Sequence, residues 1–377
     1  MPRTLDSKFH IDNIVDQYGA DLDADKVKAY CSNHEVGYQT ITKYLNQFKT
    51  KRGHWKVTVK EAKRQLEKTL ENSNVGIAKT TVQAENLVPA KDDTFIKFGA
   101  FPDLKKVIAS RLFYPVFITG MSGNGKTFGV EQACNQTNRE LIRVNITVET
   151  DEDDLIGGFR LVNGETVWHN GPVIEALERG AILLLDEVDL ASNKILCLQS
   201  ILEGKGVFLK KIGEYIKPSA GFNIIATANT KGKGSDDGRF IGTNVLNEAF
   251  LERFPITIEQ DYPSVVTETK ILTKVSESLN IPMIGEHKAF ITHLCNWADI
   301  VRRTFNDGGV DEIISTRRLT HIIRAYSIFG NKMKSVQMCL NRFDDETKES
   351  FIQLYSKLDE TVNVTESTQK VDRRTLP

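Results

Sequence analysis

The chain has 377 residues, so two or three domains are expected rather than a single core. Its composition is that of a globular protein, with 40% hydrophobic and 26% charged residues, and its net charge of −1 gives no overall attraction to nucleic acid or to a membrane surface. No apolar run is long enough to span a membrane, and the N-terminus lacks the apolar segment of a signal peptide. Five scattered cysteines without a CxxC pair are typical of reduced thiols, so we expect a cytoplasmic protein without membrane association.

The hydrophobic pattern divides the chain into five segments. A basic, mainly helical N-terminal region is followed by a stretch without periodicity, which is interpreted as a linker. The third segment alternates short apolar runs with helix-length segments, which predicts an α/β fold with a parallel sheet covered on both faces. The fourth segment has helical spacing only, and the last is a polar tail. The predicted boundaries are 1–70, 71–94, 95–262, 263–360 and 361–377.

The stretch GMSGNGKT matches the pattern of a P-loop, with a strand-like run before it and a helix-length segment after it. Glycine lets such a loop turn its N–H groups towards phosphate oxygens, and the N-terminus of the next helix adds partial positive charge. Lys126 is expected to reach the β- and γ-phosphates of a nucleotide, and the Thr127 hydroxyl is expected to hold Mg²⁺. The predicted nucleotide-binding residues are Gly120, Ser122, Gly123, Asn124, Gly125, Lys126 and Thr127.

Polar residues follow two further apolar runs. AILLLD ends in Asp186 and Glu187, and FNIIATAN ends in Asn229. Because ligands bind at the carboxyl ends of parallel strands, we expect Asp186 to hold Mg²⁺, partly through water, and Glu187 to orient and deprotonate the attacking water. The Asn229 amide would fix that water. Taken alone, the carboxylates would be a solvated pair and Asn229 a turn residue, whereas Asp189 is expected to be a loop or helix-start residue without a catalytic role.

Two arginines are candidates for the cation that stabilises charge on the γ-phosphate. Arg253 ends a short helix and would act from a neighbouring subunit; the alternative is a surface arginine paired with Glu248 or Glu252. Arg317 starts a later helix, from which it would reach the nucleotide of its own subunit. Arg318 is its rival, and the alternative for either is an exposed helix face.

The N-terminal region concentrates positive charge, with nine lysines and arginines against two glutamates between residues 43 and 68. Two short helices around a turn at Gly37, followed by a β-like run at residues 54–59, predict a helix-turn-helix with a wing. Gln39 or Asn46 would then reach base edges. The alternative is a solvated basic domain or a docking surface for an acidic protein. The residues expected to meet phosphates are Lys43, Lys49, Lys51, Arg52 and Lys56.

The order of the motifs resembles that of AAA+ ATPases: a P-loop, LLLDE, ATANT, LERF and an arginine at the start of a late helix. Residues 154–180 resemble the hairpin inserted into the second helix in the MoxR branch, and LEGKGVFLKKIGEYIKPSAG resembles the hairpin that precedes its sensor strand. VNITVETDEDDLIGG, ATANTKGKGSDDGRFIGT and IIRAYSIFG are most similar to the CobS-type ATPase subunit of aerobic cobaltochelatase. The resemblance covers about residues 95–335.

This resemblance implies a doubly wound αβα domain with a C-terminal helical lid, assembled as a homo-oligomeric ring, usually a hexamer, with ATP bound between neighbours. Arg253 would be donated in trans. It also suggests a partner protein with a von Willebrand A domain. The chain departs from the family pattern at Thr316, where proline is usual, and at Glu252, where aspartate is common. The residues implied in the subunit's own site are Lys126, Thr127, Asp186, Glu187, Asn229 and Arg317.

Three functions follow from these observations. The first is an ATP-hydrolysing ring motor that remodels a partner protein. The second is a nucleic-acid-associated motor that uses its N-terminal region to bind DNA or RNA. The third is a nucleotide-dependent scaffold with little turnover, against which the intact Lys126, Glu187 and Arg253 argue. ATP rather than GTP rests on the resemblance alone, because a P-loop contacts the phosphates and not the base.

Overall fold

The structure, a computed structural model, falls into two compact units, Met1–Lys79 and Thr80–Pro377, which are described separately. The predictions for residues 58–85 and for the polar tail at 361–377 lie outside the described residues. The same holds for part of the ATANTKGKGSDDGRFIGT stretch. The residues that the structure describes are 7–34, 36–57, 86–234, 242–282 and 285–359.

The described residues of the N-terminal unit, 7–34 and 36–57, form three helices and a small antiparallel sheet of strand order β1-β3-β2. This is the element order of a helix-turn-helix followed by a β-hairpin wing. The Asp23 side chain accepts hydrogen bonds from the first N–H groups of the second helix and thereby fixes its start. Its elements are α1 (Ser7–Tyr18), β1 (Asp21–Asp23), α2 (Ala24–Asn33), α3 (Tyr38–Leu45), β2 (Lys49–Lys51) and β3 (His54–Lys56).

The same unit has its own small hydrophobic core. Val27 and Tyr30 of α2 meet Ile41 and Leu45 of α3 in one buried cluster, which is the spacing of residues on one face of a helix. Trp55 of β3 closes this cluster and is buried. The basic residues of α3 and of the hairpin therefore stand on a scaffold with a packed interior.

The larger unit is built on a five-stranded parallel sheet of order β12-β4-β11-β8-β5. Leu183 and Leu185 pack into one buried cluster, and Ile182 and Leu184 pack into another, so helices cover both faces. The doubly wound fold class is confirmed. Its elements are α4 (Phe101–Ser110), β4 (Val116–Thr119), α5 (Lys126–Gln136), β5 (Leu141–Asn145), α6 (Glu152–Leu155), β6 (Gly157–Val162), β7 (Glu165–Asn170), α7 (Pro172–Arg179), β8 (Ile182–Asp186), α8 (Gln199–Leu202), β9 (Val207–Leu209), β10 (Glu214–Ile216), β11 (Asn223–Ala228), α9 (Glu248–Leu251) and β12 (Ile256–Glu259).

Two antiparallel hairpins interrupt the alternation of strands and helices. Strands β6 and β7 pair from Gly157 with Asn170 to Val162 with Glu165, between the short helix α6 and α7. Strands β9 and β10 form the second hairpin directly before the central strand β11. These are the positions at which the motif resemblance placed two inserted hairpins.

Between residues 265 and 359, the described part of the chain after the sheet forms five helices, which make up a C-terminal helical region with a separate core. Trp297 and Tyr355 are buried at its centre, and the Trp297 indole N–H donates to the carbonyl of Phe351 at 3.1 Å. Among the described residues, no helix is long and apolar enough to cross a membrane. The helices are α10 (Val265–Ser278), α11 (Glu286–Asn306), α12 (Thr316–Phe329), α13 (Lys332–Leu340) and α14 (Asp345–Leu358).

The predicted linker does not extend to residue 94, because residues 86–94 are fastened to the sheet domain. The Gln132 side chain donates to the carbonyl of Ala90 at 3.0 Å and accepts the N–H of Asp92 at 3.1 Å. The Asn135 side chain donates to the carbonyl of Pro89 at 2.9 Å. An extended segment held by side chains of a neighbouring helix has no hydrophobic period, so its attachment could not be predicted from the sequence.

Candidate nucleotide-binding site

The P-loop connects β4 to α5 and needs glycine at its sharpest points. Gly120 has φ of 146° and Gly125 has φ of 88°, both in the left-handed half of the backbone map. A Cβ atom at Gly120 would overlap the carbonyl oxygen of Gln260, and one at Gly123 would lie 2.8 Å from the Ser315 hydroxyl. The loop is therefore packed between the end of β12 and the start of α12.

Lys126 is the buried cation of the site, with 8% of its surface exposed. Its ammonium donates to the carbonyls of Gly120 at 2.6 Å and Met121 at 3.0 Å, and to the Asn229 side-chain oxygen at 3.3 Å. Burial lowers the Lys126 pKa to about 8, although the nearby carboxylates of Asp189 and Asp186 oppose the shift. A bound phosphate would place negative charge beside this ammonium and stabilise its charged form.

Asp186 lies at the carboxyl end of β8 with its carboxylate buried beside the P-loop. Its Oδ1 accepts hydrogen bonds from the hydroxyl of Thr127 at 2.9 Å and from that of Thr227. Its Oδ2 pairs with the Arg143 guanidinium at 2.6 Å. Arg143, on the neighbouring strand β5, was not singled out from the sequence, because only strand pairing brings it beside Asp186.

Glu187 and Asn229 stand at the same edge of the sheet, as predicted for neighbouring strand ends. Glu187 is exposed and has a left-handed backbone with φ of 59°, and its N–H donates to the Thr227 hydroxyl at 3.3 Å. Asn229 contacts Lys126 through its side chain and donates its N–H to Asp189 Oδ2 at 2.9 Å. The short turn after β8 therefore presents the Glu187 carboxylate to the cavity, and its Asp189 carboxylate holds the end of β11.

Asp189 has a larger part than the sequence predicted. It is fully buried, and its Oδ2 accepts the N–H of Asn229 and the N–H of Thr230, each at 2.9 Å. The Thr230 hydroxyl donates to the same oxygen at 3.1 Å. Asp189 is thus a positioning residue for Asn229. In the sequence it was visible only as the third acidic residue after a buried strand.

The two rival arginines of α12 face different surroundings. Arg317 is exposed in the cavity, and its backbone N–H donates to the carbonyl of Gly123 at 3.2 Å. Arg318 donates instead to the carbonyl of Cys339, and its guanidinium lies 4.3 Å from the centre of the Phe343 ring. Of these two arginines, Arg317 is therefore the one that can meet a nucleotide, and Arg324 further along the same helix also lines the cavity.

Arg253 does not line the nucleotide cavity of its own chain. Its guanidinium pairs with Glu203 at 2.7 Å and donates to the carbonyl of Ala249. Neither Glu248 nor Glu252, the partners considered from the sequence, forms an ion pair with it among the described residues.

A cavity of about 490 Å³ brings the predicted residues together. Part of its wall is apolar, and the polar part includes the P-loop, the ends of β8 and β11 and the start of α12. The apolar wall would accept a base, and the polar wall would accept phosphates. The apolar lining residues include Phe95, Ile96, Phe98, Phe128, Ile271 and Val275. The polar lining residues include Lys126, Thr127, Asp186, Glu187, Asn229 and Arg317.

Two residues after β12 brace the P-loop and were not found from the sequence. The Asn124 side chain donates to the carbonyl of Gln260 at 2.5 Å, and the Gln260 side chain returns a hydrogen bond to the carbonyl of Asn124 at 3.1 Å. The Tyr262 hydroxyl donates to the carbonyl of Ser122 at 2.7 Å. More than 130 residues separate these partners, so no local motif announces them.

The basic residues predicted to meet nucleic acid all lie on α3 and the hairpin of the N-terminal unit, and all are exposed. Gln39 and Asn46, the candidates for reading base edges, are exposed at the two ends of α3. The basic residues are Lys43 of α3, Lys49 and Lys51 of β2, Arg52 of the turn and Lys56 of β3.

Comparison with known proteins gives the same assignment as the motifs. Residues 115–254 match the family described as AAA domain, dynein-related subfamily. The aerobic cobaltochelatase subunit CobS of Sinorhizobium sp is 26% identical over 222 residues, which are 57% of this chain and 66% of that subunit. Midasin of Dictyostelium discoideum is 34% identical over 184 residues, which are 46% of this chain but 3% of midasin.

Among solved structures, the RuvB Holliday junction branch migration motor of Thermotoga maritima overlaps 67% of this chain and 73% of its own, with 18% identity and a TM-score of 0.43. The sequence matches confirm the recognition of an AAA+ ATPase from its motifs. The matched region spans just under two thirds of the cobaltochelatase subunit.

Proposed function

We propose that this chain, whose residues 115–254 are an AAA domain, is the ATP-hydrolysing subunit of a ring motor that remodels a partner protein. The observation that carries the proposal is the convergence of Lys126, Thr127, Asp186, Glu187 and Arg317 on one cavity of about 490 Å³. These are the groups needed to bind phosphates, activate water and stabilise the charge that develops on the γ-phosphate.

Nucleotide binding begins at the P-loop. The loop's N–H groups and the N-terminus of α5 present partial positive charge to phosphate oxygens. Lys126 exchanges its contacts with the loop carbonyls of Gly120 and Met121 for the β- and γ-phosphates. Lys126 is buried, so its charged ammonium is poorly solvated in the free site. Water hardly screens the attraction between this ammonium and a bound phosphate, which therefore stabilises the charged form.

The residues beside the P-loop fit Mg²⁺. The Thr127 hydroxyl and the Asp186 carboxylate lie 2.9 Å apart, and oxygen atoms are the ligands that Mg²⁺ prefers. Within the described residues, no cluster of three or more His, Cys, Asp or Glu offers a metal cage, which suits an ion held largely by phosphate and water. When bound, Mg²⁺ would neutralise charge on the phosphates. The Arg143 guanidinium pairs with one oxygen of Asp186, and it would release this oxygen to Mg²⁺ or share it with the ion.

Hydrolysis requires a base for the attacking water. Glu187, an exposed carboxylate beside the P-loop in the cavity, takes that role, with the Asn229 amide orienting the same water. Arg317 stabilises the charge on the γ-phosphate from the lid of the same subunit. Removing any one of these three side chains would slow turnover without abolishing nucleotide binding.

Arg253 supplies a second cation to the pocket of a neighbouring subunit. Arg253 lies outside the nucleotide cavity of its own chain, and an arginine donated to a neighbouring subunit makes hydrolysis depend on assembly. The family resemblance favours a homo-oligomeric ring of six subunits. It also favours a protein partner with a von Willebrand A domain, and the five free thiols suit the cytoplasm.

The test of this function is phosphate release from Mg-ATP by the full chain and by two variants. Lys126→Ala is expected to lose nucleotide binding, whereas Glu187→Gln should bind ATP and lose turnover by about a hundredfold or more. Lys106→Ala, an exposed lysine of α4, is the control and should hydrolyse ATP normally. Near-normal turnover in Glu187→Gln would assign the base to another residue, and negligible turnover in the unsubstituted chain would favour the scaffold.

A second candidate is a motor that acts on nucleic acid. It is favoured by one observation, the helix-turn-helix and hairpin whose exposed residues on α3, β2 and β3 are basic. In this reading, the N-terminal unit binds the phosphate backbone while the AAA domain supplies the work. A basic docking surface for an acidic protein would use the same residues, and direct binding to duplex DNA at low salt separates the two.

A further inference from the structure

An ion pair lies inside the C-terminal helical region, which the motifs did not address. Glu268 of α10 is fully buried, and Arg302 of α11 is 8% exposed. The guanidinium binds the carboxylate with both ends, at 2.7 Å and 3.0 Å. A buried ion pair seldom adds net stability over a well-packed apolar pair, so its geometric consequence is of greater interest.

This ion pair holds the start of α12. The Thr316 hydroxyl donates to Glu268 Oε1 at 2.6 Å, and Arg302 Nε donates to the carbonyl of Ile314 at 2.8 Å. Thr316 is the first residue of α12 and directly precedes Arg317. The carbonyl just before the helix start and the side chain of its first residue are therefore both held by the Glu268–Arg302 ion pair.

The same group of residues reaches the P-loop. The Arg302 guanidinium lies 4.2 Å from the centre of the Tyr262 ring, and the Tyr262 hydroxyl donates to the carbonyl of Ser122 at 2.7 Å. One residue further along the loop, the carbonyl of Gly123 accepts the N–H of Arg317 at 3.2 Å. Two consecutive P-loop carbonyls are thus held, one by Tyr262 before the first helix of this region and one by Arg317 of α12.

We propose that Glu268, Arg302 and Thr316 act as positioning residues that fix α12 against the P-loop so that Arg317 is aligned on the γ-phosphate. The inference rests on the proposed function, because it takes ATP as the ligand and Arg317 as its contact. A cation placed an ångström away loses much of its effect on a transferring phosphate, so the alignment of α12 controls the preference for ATP over ADP. The Thr316 side chain, at a position where the related family usually has proline, makes this alignment depend on a hydrogen bond.

The test measures the ratio of the affinity for a slowly hydrolysed ATP analogue to that for ADP. Thr316→Val keeps the shape of the side chain and removes its hydroxyl, and it should lower this ratio about tenfold, the size expected for a hydrogen bond to a charged acceptor. Thr316→Ser keeps the hydroxyl and should keep the ratio. Thr292→Val is the matched control, because the Thr292 hydroxyl bonds only within α11 on the exposed surface.

A double substitution separates positioning from folding of the lid. In an Arg317→Ala background the ratio should already be low, and Thr316→Val should lower it no further, because its effect passes through Arg317. Equal losses of ATP and ADP affinity, or an undiminished effect of Thr316→Val without Arg317, would overturn the inference. Should Thr316→Val unfold, Tyr262→Phe keeps the ring beneath Arg302, removes the bond to Ser122 and is expected to lower the ratio as well.

The outcome is distinct from that of the proposed function. A chain that hydrolyses ATP, and loses this activity in Lys126→Ala, satisfies the proposed function whatever Thr316→Val does. An unchanged ratio in Thr316→Val, measured on that active chain, overturns the positioning inference alone. A chain whose nucleotide affinity does not depend on Lys126 overturns both.

Discussion

Lys126 combines burial with a positive charge, and this conflict has a measurable consequence. In the free site its pKa is lowered to about 8 from an ordinary value of 10.5, mainly by desolvation. The lowered pKa means that the charged ammonium disfavours folding below pH 8, and that this penalty disappears as the pH rises from about 8 to about 10.5. A bound phosphate reverses the preference, because it favours the charged form.

We expect nucleotide binding to take up protons above pH 8. At half a pH unit above a pKa of about 8, most Lys126 side chains are neutral and must gain a proton when phosphate binds. Calorimetric titration with ADP in two buffers of different ionisation enthalpy should show uptake of more than half a proton per nucleotide at that pH and almost none at neutral pH. Lys106→Ala should give the same profile, and a pH-independent binding enthalpy in both buffers would contradict the lowered pKa.

Asp189 allows a second prediction at a single residue. Replacing it with asparagine puts a weaker acceptor where the N–H groups of Asn229 and Thr230 converge, so the end of β11 should loosen. We expect Asp189→Asn to lower kcat about tenfold with little change in KM, and to lower the free energy of unfolding by about 1–3 kcal/mol. Steady-state kinetics and urea unfolding measure these effects. Asp103→Asn, an exposed carboxylate of α4, is the control, and an unchanged kcat would leave Asp189 a purely structural residue.

The residues proposed for the site could be predicted from the sequence where they belong to contiguous motifs, and not where they make contact across the fold. Lys126 and Thr127 were accessible because phosphate binding imposes a local spacing of glycines before a helix. Tyr262 was not, because its hydroxyl meets a P-loop carbonyl 140 residues away. Arg143 was hidden for a related reason, since its contact with Asp186 depends on which strands are neighbours.

At the scale of elements, the N-terminal helix-turn-helix and hairpin carry a prediction of their own. Five exposed basic side chains on α3 and the hairpin would displace counterions from a nucleic acid, and each phosphate contact adds about −0.9 to the slope of log affinity against log salt for duplex DNA. Changing Lys51 and Arg52 together to glutamine should therefore make the slope less steep by about 2. Fluorescence anisotropy with labelled duplex DNA over a range of salt concentrations measures it.

The matched control for this pair is Lys105→Gln with Lys106→Gln, two lysines of α4 in the other unit. This variant loses the same charge and should keep the slope of the unsubstituted chain. An equal change in both variants would mean that net charge alone governs binding. Absence of binding at low salt would remove the nucleic-acid candidate and leave the basic surface to an acidic protein.

Elements with a clear hydrophobic period were predicted from the sequence, and those held by side chains were not. The strands β4, β8 and β11 are buried along their whole length, so each appeared as a continuous apolar run between helix-length segments. Residues 86–94 lack such a run because Gln132 and Asn135 satisfy their backbone. The boundary between linker and domain was consequently placed too late.

At the scale of the whole molecule, the central question is how Arg253 reaches a nucleotide. Within its own chain it pairs with Glu203 and lies outside the cavity, whereas every other predicted catalytic residue lines it. In the proposed ring, each subunit would offer Arg253 to the pocket of the next. Hydrolysis would accordingly require neighbours, and turnover per subunit should rise with protein concentration until rings are complete.

Mixed rings provide the decisive measurement. Arg253→Ala subunits keep an intact pocket but offer no finger, and Lys126→Ala subunits bind no nucleotide but keep Arg253. Each variant alone should be inactive, yet an Arg253→Ala pocket beside a Lys126→Ala subunit is complete, so random mixing at equal amounts should restore about a quarter of normal turnover. The control is Lys126→Ala mixed with Glu187→Gln, which contains no complete pocket in any arrangement and should stay inactive. If rings shown by mass measurement to contain both of the first two variants remain inactive, Arg253 does not act in trans.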